Sequence, residues 1–446
     1  MNQYIKMVER HADLIGKAFD YIWANPETGY KEWKTNEYLK KEFQNLGYEL
    51  AEAGDIPGFC AEIDTGKTGP TVLIFGEMDG LVIPGHPDAD PETGAVHACG
   101  HCLQTAALLG LAAAIKEEGA LDGLSGKIRL VVVPAEEGLK FEFRQELMKK
   151  GTICYESGKI EFLHRGLLDG GDLAFMIHLA TGPLHHGMIN KGSNGLIKKA
   201  ATFEGVSAHA GGSPHLGINA LYASNSALQA INALRETFKD EDHIRVHPII
   251  SCGNCSVNAI PDKVTLHTGV RGATMDAVLA ANKKINRAIA AAASVGAKVS
   301  ITEEPGHCPR HTDDTLFCIF EKAMSEVLET VNCDRNAWGA GCSDMGDISS
   351  LMPMAHPYVR GATGKGHGSD FFFIDGPTSC MESAKIQLLA LRALLENNAE
   401  KAKKIVAEYK PFFASKEEYF KYIDSIERNF DAVEYQENGS VLLNLG

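Results

Sequence analysis

Two short clusters of metal-binding residue types stand out in this chain. His97, Cys99 and His101 lie within one stretch of five residues, and Glu136 and Glu137 follow about 35 residues later. Together they offer a thiolate, up to two imidazoles and two adjacent carboxylates, the ligand set that a borderline-soft divalent metal prefers. The residue types and their spacing therefore predict a metal site.

The elements before these clusters explain how the clusters would meet. Residues 71–75 and 128–133 are short, largely apolar runs bounded by Gly and Pro, a pattern typical of buried parallel strands. Parallel sheets bind ligands beyond the carboxyl ends of their strands, which is where both clusters fall. The Ala- and Leu-rich residues 104–117 predict a helix packed on that sheet.

Size and charge restrict the class of protein. The chain has 446 residues, 44% of them hydrophobic and 23% charged, which is ordinary for a globular protein of two or three domains. Its formal net charge of −15 argues against nucleic acid or an anionic membrane as a partner. A local metal or Arg would still allow an anionic substrate.

The start of the chain and its cysteines favour a cytoplasmic protein. We find neither a basic-then-apolar leader pattern nor an apolar run of membrane-spanning length. The eleven cysteines lack a disulfide-framework rhythm, as in reduced cytosolic proteins. Cys252 and Cys255 have the C-x-x-C spacing of redox or zinc sites, but without a second such pair we interpret them as structural thiols.

The order of predicted elements indicates an α/β protein with an insertion. Residues 1–192 and 305–446 read as two parts of one catalytic domain, and residues 193–304 read as a separate unit. Between about 197 and 302 the order is strand, helix, strand, strand, helix, strand, which is typical of a self-contained α+β, ferredoxin-like unit. The last 40 residues are charged, and we expect them to be helical.

A set of motifs spread from about residue 75 to residue 375 resembles a known family. The chain is similar to the co-catalytic metallopeptidases of the aminoacylase and carboxypeptidase G family, in the amidohydrolase branch with indole-acetyl-amino-acid and aminobenzoyl-glutamate hydrolases. The matching segments occur in family order: Glu77-Met78-Asp79-Gly80, 97–101, 134–137, 207–211, 217–220, 258–262, 343–347 and 366–368.

The resemblance implies a metal-dependent amidohydrolase with two divalent ions. Its fold would be a zinc-peptidase-like mixed sheet with helices on both faces, and the inserted unit would be a lid and dimerisation domain. Glu136 would be the general base and Asp79 would steer a ligand imidazole. The implied metal ligands are Cys99, His101, Glu137, His178 and His367.

The resemblance also gives roles to the insertion. Asn258 and Arg271 would hold the substrate carboxylate, for which a guanidinium has suitable geometry, although Arg271 equally suits a surface ion pair. His209 lies in a loop of small residues and would donate a hydrogen bond to the developing oxyanion. In a homodimer of this family, it would do so in the active site of the partner subunit.

The residues themselves support this chemistry. Successive strand residues point to opposite sides, so Glu136 and Glu137 are suited to different tasks. Two divalent ions would lower the pKa of a bound water towards neutrality from about 15.7, and a carboxylate base would take its proton. Thiolate, imidazole and carboxylate together suit Zn, Mn, Ni or Co, and the sequence does not choose between them.

Two departures from the family pattern concern the site. Cys102 stands where the family usually has Asp or Asn, and we expect it to fill space rather than bind metal. Residues 139–161 are longer than the usual connection after the two glutamates. Because this segment follows the base directly, we expect it to shape the substrate pocket.

Three functions remain open at this point. We favour hydrolysis of an N-acyl or N-aroyl amino acid, or of a short peptide, without naming its acyl group or amino acid. A cysteine-nucleophile hydrolase using Cys99 and His101 would leave Glu136, Glu137 and His367 without roles. A catalytically silent binding homologue would have no reason to keep Glu136.

Overall fold

The computed structural model describes residues 3–253 and 255–446, except the side chain of Phe141. Its helices are α1 Gln3–Glu9, α2 Ala12–Ala24, α3 Trp33–Asn45, α4 His101–Ile115, α5 Phe141–Lys150, α6 Gly158–His164, α7 Ala220–Ala233, α8 Met275–Ile289, α9 Asp314–Val327, α10 Met345–Ser349, α11 Gly376–Glu408 and α12 Lys416–Ile426. Among these residues, no helix combines the length and the apolar composition needed to span a bilayer.

The strands of the first half are β1 Leu50–Glu52, β2 Phe59–Asp64, β3 Thr71–Glu77, β4 Leu81–Val82, β5 Ala95–Val96, β6 Lys127–Val133, β7 Leu173–Phe175, β8 His178–Thr181, β9 His186–Ser193 and β10 Gly195–Glu204. Those of the second half are β11 Arg245–Val246, β12 Ile249–Ser251, β13 Lys263–Gly272, β14 Lys298–Pro305, β15 Arg310–His311, β16 Thr330–Gly339, β17 Met354–Ala355, β18 Tyr358–Thr363, β19 Phe372–Phe373, β20 Arg428–Tyr435 and β21 Val441–Leu443.

The chain divides into two compact units. Unit 1 comprises residues 1–191, 311–337 and 351–412, and unit 2 comprises 192–310, 338–350 and 413–446. The start of unit 2 and the end of its first segment lie within a few residues of the expected bounds 193–304. The expected bound 305–446 for the second catalytic part is wrong, because 338–350 and 413–446 pack within unit 2.

The main sheet of unit 1 is mixed, as expected. Its strand order is β1-β2-β6-β3-β7-β17, with β3 parallel to both β6 and β7 and with β2 antiparallel to β6. All seven residues of β3 are buried, so both of its faces are covered, since successive side chains point to opposite faces. Helix α4, buried along its whole length, packs against β3, and α6 packs against β6.

Unit 2 contains an antiparallel sheet of order β11-β13-β10-β14-β20-β21, with β12 also paired to β13. Helices α7 and α8 cover one face, and alternate residues of β10 and β13 are buried. The order β10, α7, β11/β12, β13, α8, β14 is the expected α+β pattern. Side-chain caps begin both helices: Asn219 accepts from Leu221 and Tyr222, and Thr274 accepts from Ala277.

The C-terminal segment differs from its expected helical structure. Only α12 is helical, and β20 then pairs antiparallel with β14, placing Arg428 opposite Glu303. The pairing satisfies the backbone groups of β14 that would otherwise form an open sheet edge. The structure brings Cys252 and Cys255 together after β12, with 5.9 Å between their Cα atoms.

Candidate metal centre

Cys99 and His101 are presented by a tight turn at the start of α4. Between them, Gly100 has a left-handed φ of 92°, and a Cβ there would lie 2.7 Å from Leu179. Only glycine combines this conformation with this close approach. The turn places the thiol of Cys99 and the imidazole of His101 next to each other, just beyond the carboxyl end of β3.

The imidazoles of buried His101 and half-buried His178 are oriented by hydrogen bonds at Nδ1. Nδ1 of His101 lies 2.8 Å from the carbonyl oxygen and 3.0 Å from Oδ1 of Asp79, the residue expected to steer it. In His178, the first residue of β8, Nδ1 lies 2.8 Å from the carbonyl oxygen of Leu179. Metal-binding histidines usually donate one N–H in this manner, which leaves Nε2 for the metal.

All five predicted ligand residues come together in unit 1. They form two groups of three, Cys99-His101-His178 and Cys99-Glu137-His367, and the candidate ligand atoms of each group lie within 4.8 Å of one another. Both groups include Cys99, so this residue would help to hold both ions. His367 comes from the loop between β18 and β19, where its N–H donates to the carbonyl of Ala98.

The chemistry of these residues fits a pair of divalent ions. Nε2 of His101 and Oε1 of Glu137 are buried, and they lie 3.1 Å from Oε2 of Glu77 and 3.2 Å from Nε2 of His367, respectively. Burial lowers the pKa of His101, but the neighbouring acidic groups Cys99 and Glu77 outweigh it and raise that pKa well above its usual value. The site thus gathers sulfur, nitrogen and carboxylate donors, a set that suits divalent ions.

Glu137 and His367 are also paired in a manner suited to a metal. Their Oε1 and Nε2 atoms lie 3.2 Å apart. Burial alone would raise the pKa of Glu137, but the hydrogen bond from His367 and the charge of His101 bring it below its usual value. Glu137 is thus held as a carboxylate, the form that binds a metal.

Glu136 diverges from Glu137 for a reason that differs from the expected strand alternation. Strand β6 ends at Val133, and Ala135 adopts a left-handed φ of 50° before both glutamates. Glu137 then donates its N–H to Oδ2 of Asp79 at 2.8 Å, whereas Oε2 of Glu136 lies 4.0 Å from Nε2 of His101. Glu136 lies outside the two groups that contain Cys99, and it forms a third group with Glu77 and His101, whose candidate ligand atoms also lie within 4.8 Å of one another.

Sequence reasoning assigned no role to a buried ion pair beside the site. Oε2 of Glu77 lies 3.1 Å from Nε2 of His101 and accepts a hydrogen bond from Gln104, while Oε1 contacts the ammonium group of Lys159. Glu77 and Lys159 are both fully buried. A carboxylate that ends an apolar strand was the available signal, but nothing in the sequence pointed to Lys159.

Cys102 and His97 are near the ligand residues in sequence but lie outside the ligand groups. Cys102 is buried in the hydrophobic core on α4, which agrees with the expectation that it fills space. His97 is fully buried, and burial lowers its pKa to about 3, so its ring is neutral.

The predicted substrate residues His209, Asn258 and Arg271 all belong to unit 2. Nδ1 of exposed His209 accepts from the N–H groups of Gly211 and Gly212, which places the proton of a neutral ring on Nε2. Ala210 donates its N–H to the carbonyl of Asn258, so the two loops are joined. Arg271 contacts the sulfur of Cys342 at 3.3 Å. Their roles towards substrate stay predictions.

Two of the curated proteins that this sequence resembles are named as hydrolases. One of the chains of p-aminobenzoyl-glutamate hydrolase from Escherichia coli is 28% identical over 337 residues, which are 72% of this chain and 59% of that protein. Indole-3-acetyl-aspartic acid hydrolase from Enterobacter agglomerans is 32% identical over 236 residues, 50% of this chain and 49% of that protein. The chain thus matches only about half of the length of these curated relatives.

The fold has solved counterparts. A dinuclear metal-binding peptidase of the M20 family from Bacillus subtilis superposes with a TM-score of 0.66, covering 87% of this chain and 99% of that one at 20% identity. At this identity, the likeness establishes the fold alone. The sequence pattern of peptidase family M20/M25/M40 matches residues 73–393, well over half of the protein. The chain therefore belongs to peptidase family M20/M25/M40.

Proposed function

We propose that this protein is a metal-dependent amidohydrolase that cleaves the amide bond of an N-acyl or N-aroyl amino acid, or of a short peptide. The observation that carries the proposal is the position of Glu136 beside two three-residue ligand groups that share Cys99. The curated relatives, whose names describe hydrolases of aminobenzoyl-glutamate and indole-acetyl-aspartate, support this substrate class.

Different residues of the chain would carry out different parts of the reaction. Cys99, His101 and His178 would hold one ion, and Cys99, Glu137 and His367 the other. Bound divalent ions lower the pKa of water and polarise an amide carbonyl. Glu136 takes the proton of the attacking water and returns it to the nitrogen of the leaving amine. Asp79 keeps both His101 and the backbone of Glu137 in place.

Unit 2 contains the residues that we propose to contact the substrate. His209 would stabilise the developing oxyanion through its Nε2 proton, while Asn258 and Arg271 would hold the substrate carboxylate. We propose that unit 2 acts as a lid and dimerisation domain, so that His209 reaches the active site of a partner subunit. We further propose a cytoplasmic location. The bound metal would be Zn, Mn, Ni or Co, the ions that this mixture of sulfur, nitrogen and oxygen ligands suits.

The cysteine-nucleophile alternative receives less support from the site. A nucleophilic cysteine needs a lowered pKa, because the thiolate is the reactive form. Burial instead raises the pKa of Cys99 above its usual value, and the sulfur lies between the two ligand groups. Treatment with a chelator separates the two mechanisms, since a thiol hydrolase would keep its activity and a metal hydrolase would lose it.

The decisive test combines a substrate screen with one substitution. Metal-loaded protein is assayed against a panel of acyl- and aroyl-amino acids and dipeptides, with identification of the products. Glu136→Gln should lower kcat about 10²–10⁴-fold, since it removes the base, while bound metal stays near two ions per chain. The exposed Glu118→Gln provides a matched control with unchanged kcat.

Two results would contradict the proposal. Metal analysis that finds no bound divalent ion, or a Glu136→Gln variant with nearly full activity, would exclude this mechanism. A fully loaded wild-type protein that hydrolyses nothing in the panel would favour the catalytically silent homologue.

A further inference from the structure

The residue before the two glutamates has an unusual backbone. Ala135 is buried and adopts a left-handed φ of 50°, a conformation that an alanine rarely takes. Such a conformation is disfavoured for a residue that carries a Cβ, so it persists only where neighbouring groups hold it. The groups that hold Ala135 therefore determine the directions in which Glu136 and Glu137 leave the strand end.

Hydrogen bonds fix both sides of the Ala135 residue. Its N–H donates to Oε1 of Glu32 at 2.9 Å, and its carbonyl accepts from the N–H of Gly158 at 3.0 Å. A Cβ on Gly158 would lie 1.8 Å from the carbonyl oxygen of Pro134, so this second contact requires a glycine. Of these two hydrogen bonds, only the one to Glu32 involves a side chain.

Glu32 has features that its position in sequence does not explain. It occupies the position before α3, yet its side chain makes no capping hydrogen bond. The carboxylate of Glu27 caps that helix instead, accepting from the N–H groups of Lys34 and Thr35 at 3.1 and 3.0 Å. The carboxyl group of Glu32 is thus left for Ala135.

The carboxyl group of Glu32 is buried, and only one of its oxygens has a hydrogen-bond partner among the described residues. Its side chain is fully buried, and Oε2 has no hydrogen-bond partner among the described residues. Burial, and next the nearby charge of Asp79, raise the pKa of Glu32 well above its usual value. Oε1 of Glu32 accepts one backbone N–H, which the side-chain oxygen of a glutamine can also do.

The segment that carries Glu32 also touches the other strand end of the site. The carbonyl of Glu27 accepts from the N–H of Gly80 at 2.7 Å, and Thr28 pairs with Gly80 as an isolated bridge. Gly29 approaches Ala135 so closely that a Cβ would lie 3.0 Å from the Cβ of Ala135. Residues 27–32 therefore connect the loop of Asp79 with the loop of Glu136.

We propose that Glu32 is a positioning residue for the amidohydrolase reaction, fixing the Ala135 amide and thereby the directions of Glu136 and Glu137. This inference rests on the function proposed above. Among the described residues, the hydrogen bond of the Glu32 side chain goes to the N–H of Ala135, so Glu32 would act through the backbone of that residue. Removing its acceptor should misplace both the base and one metal ligand.

The test compares Glu32→Ala with Glu32→Gln in the full-length protein. A misplacement of about 1 Å costs about 10²-fold in rate, so Glu32→Ala should lower kcat by about that factor with little change in KM. Glu32→Gln keeps the acceptor and should restore most of kcat. Glu37→Ala, at an exposed position on α3, is the matched control and should leave kcat unchanged.

A second readout does not depend on turnover. Titration of the apoprotein with Co²⁺ follows the thiolate-to-metal absorption bands of Cys99 and the number of ions bound. Glu32→Ala should alter these bands and weaken binding of the second ion, because Glu137 is displaced, whereas Glu32→Gln should match the wild type.

The outcomes separate the two proposals. A wild type that binds no Co²⁺ overturns the proposed function and this inference with it. An active, Co²⁺-binding wild type together with a folded Glu32→Ala of unchanged kcat and spectrum overturns the inference alone. If Glu32→Ala does not fold, Glu32→Asp decides by the same two measurements, because the shorter side chain withdraws the acceptor. Unchanged values there also overturn the inference.

Discussion

At the scale of single residues, the partly buried ligand groups lie beside a buried charge pair, Glu77 and Lys159. The charges of Lys159 and His101 outweigh the effect of burial and bring the pKa of Glu77 below its usual value. Glu77 is therefore ionised next to a ligand imidazole, and Lys159 compensates its charge from the protein interior. We expect this compensation to be a requirement for folding, which the ligand residues themselves are not.

A substitution of Lys159 tests this expectation. Lys159→Met keeps the length of the side chain but leaves Glu77 buried without its cation, which should lower the free energy of unfolding by about 3–5 kcal/mol. The double variant Glu77→Gln/Lys159→Met should lose less than the sum of the two single variants, since both charges are then gone. Urea unfolding measures all three. A loss below about 1 kcal/mol for Lys159→Met would contradict the compensation.

At the scale of elements, the connection after the glutamates forms a helix and a returning loop. Lys31 lies over the ring of Phe143 on α5, 4.2 Å from its centroid, and Arg144 binds Glu156 across the connection at 2.9 Å. Tyr30 donates its hydroxyl to the carbonyl of Tyr155 at 3.1 Å. The segment is therefore anchored to Tyr30 and Lys31, the two residues that precede Glu32.

Shortening this connection should change substrate choice. Replacing residues 140–156 by a tight Gly-containing turn, with Gly158 retained, should alter the ranking of acyl-amino acids more than it alters metal content. The physical reason is that α5 directly follows the proposed base, whereas no ligand residue lies on it. The measurement is kcat/KM across the panel. An unchanged ranking would show that the segment does not line the substrate pocket.

The sheet of unit 2 contains its own buried ionic cluster. Glu303 on β14 accepts hydrogen bonds from Asn282 at 2.7 Å and from Asn286 at 3.0 Å, and it contacts Lys199 on β10. Arg428 on β20 binds its other oxygen through Nε at 3.0 Å. Although burial acts in the opposite direction, the charge of Lys199 and these hydrogen bonds lower the pKa of Glu303 to about 2.

This cluster predicts a stability that depends on acid pH. A carboxyl group whose pKa is lower in the folded than in the unfolded protein stabilises the fold above the unfolded value of about 4.3. That contribution is lost as the pH falls through about 2. Urea unfolding should therefore show a gap of up to about 3 kcal/mol between wild type and Glu303→Gln at pH 6, narrowing towards pH 2. A gap independent of pH would contradict the assignment.

At the scale of the whole molecule, the proposed homodimer makes a prediction about shared sites. His209→Ala and Glu136→Gln chains should each be inactive, since each lacks one proposed catalytic group. In a mixed dimer with His209 acting across subunits, one of the two sites holds both wild-type residues. Activity should then reappear after reversible dissociation and mixing, measured against each parent alone.

The mixing experiment needs proof that heterodimers form and a baseline activity. Heterodimers are detected with two affinity tags, and a mixture of each variant with itself provides the baseline. If heterodimers form and the mixture stays as inactive as its parents, the shared site is excluded. His209 would then act within its own subunit or have no part in the reaction.

The sequence by itself identified most residues of the candidate metal centre. Cys99, His101, Glu136 and Glu137 follow strand ends or turns that local patterns reveal, and ordered motifs linked them to distant His178 and His367. Such features are legible because apolar runs and glycine turns depend mainly on neighbouring residues. The alternating order of strands and helices likewise predicted the mixed α/β fold, which is confirmed.

Only the tertiary structure decided how those groups are held. Glu32 and Lys159 meet Ala135 and Glu77 across separations of 103 and 82 residues, and no local pattern encodes such contacts. The pairing of β20 with β14 was missed for the same reason, because a sheet edge selects its partner through distant backbone groups. The ligands are set by residue type and local turn, whereas their orientation depends on long-range packing.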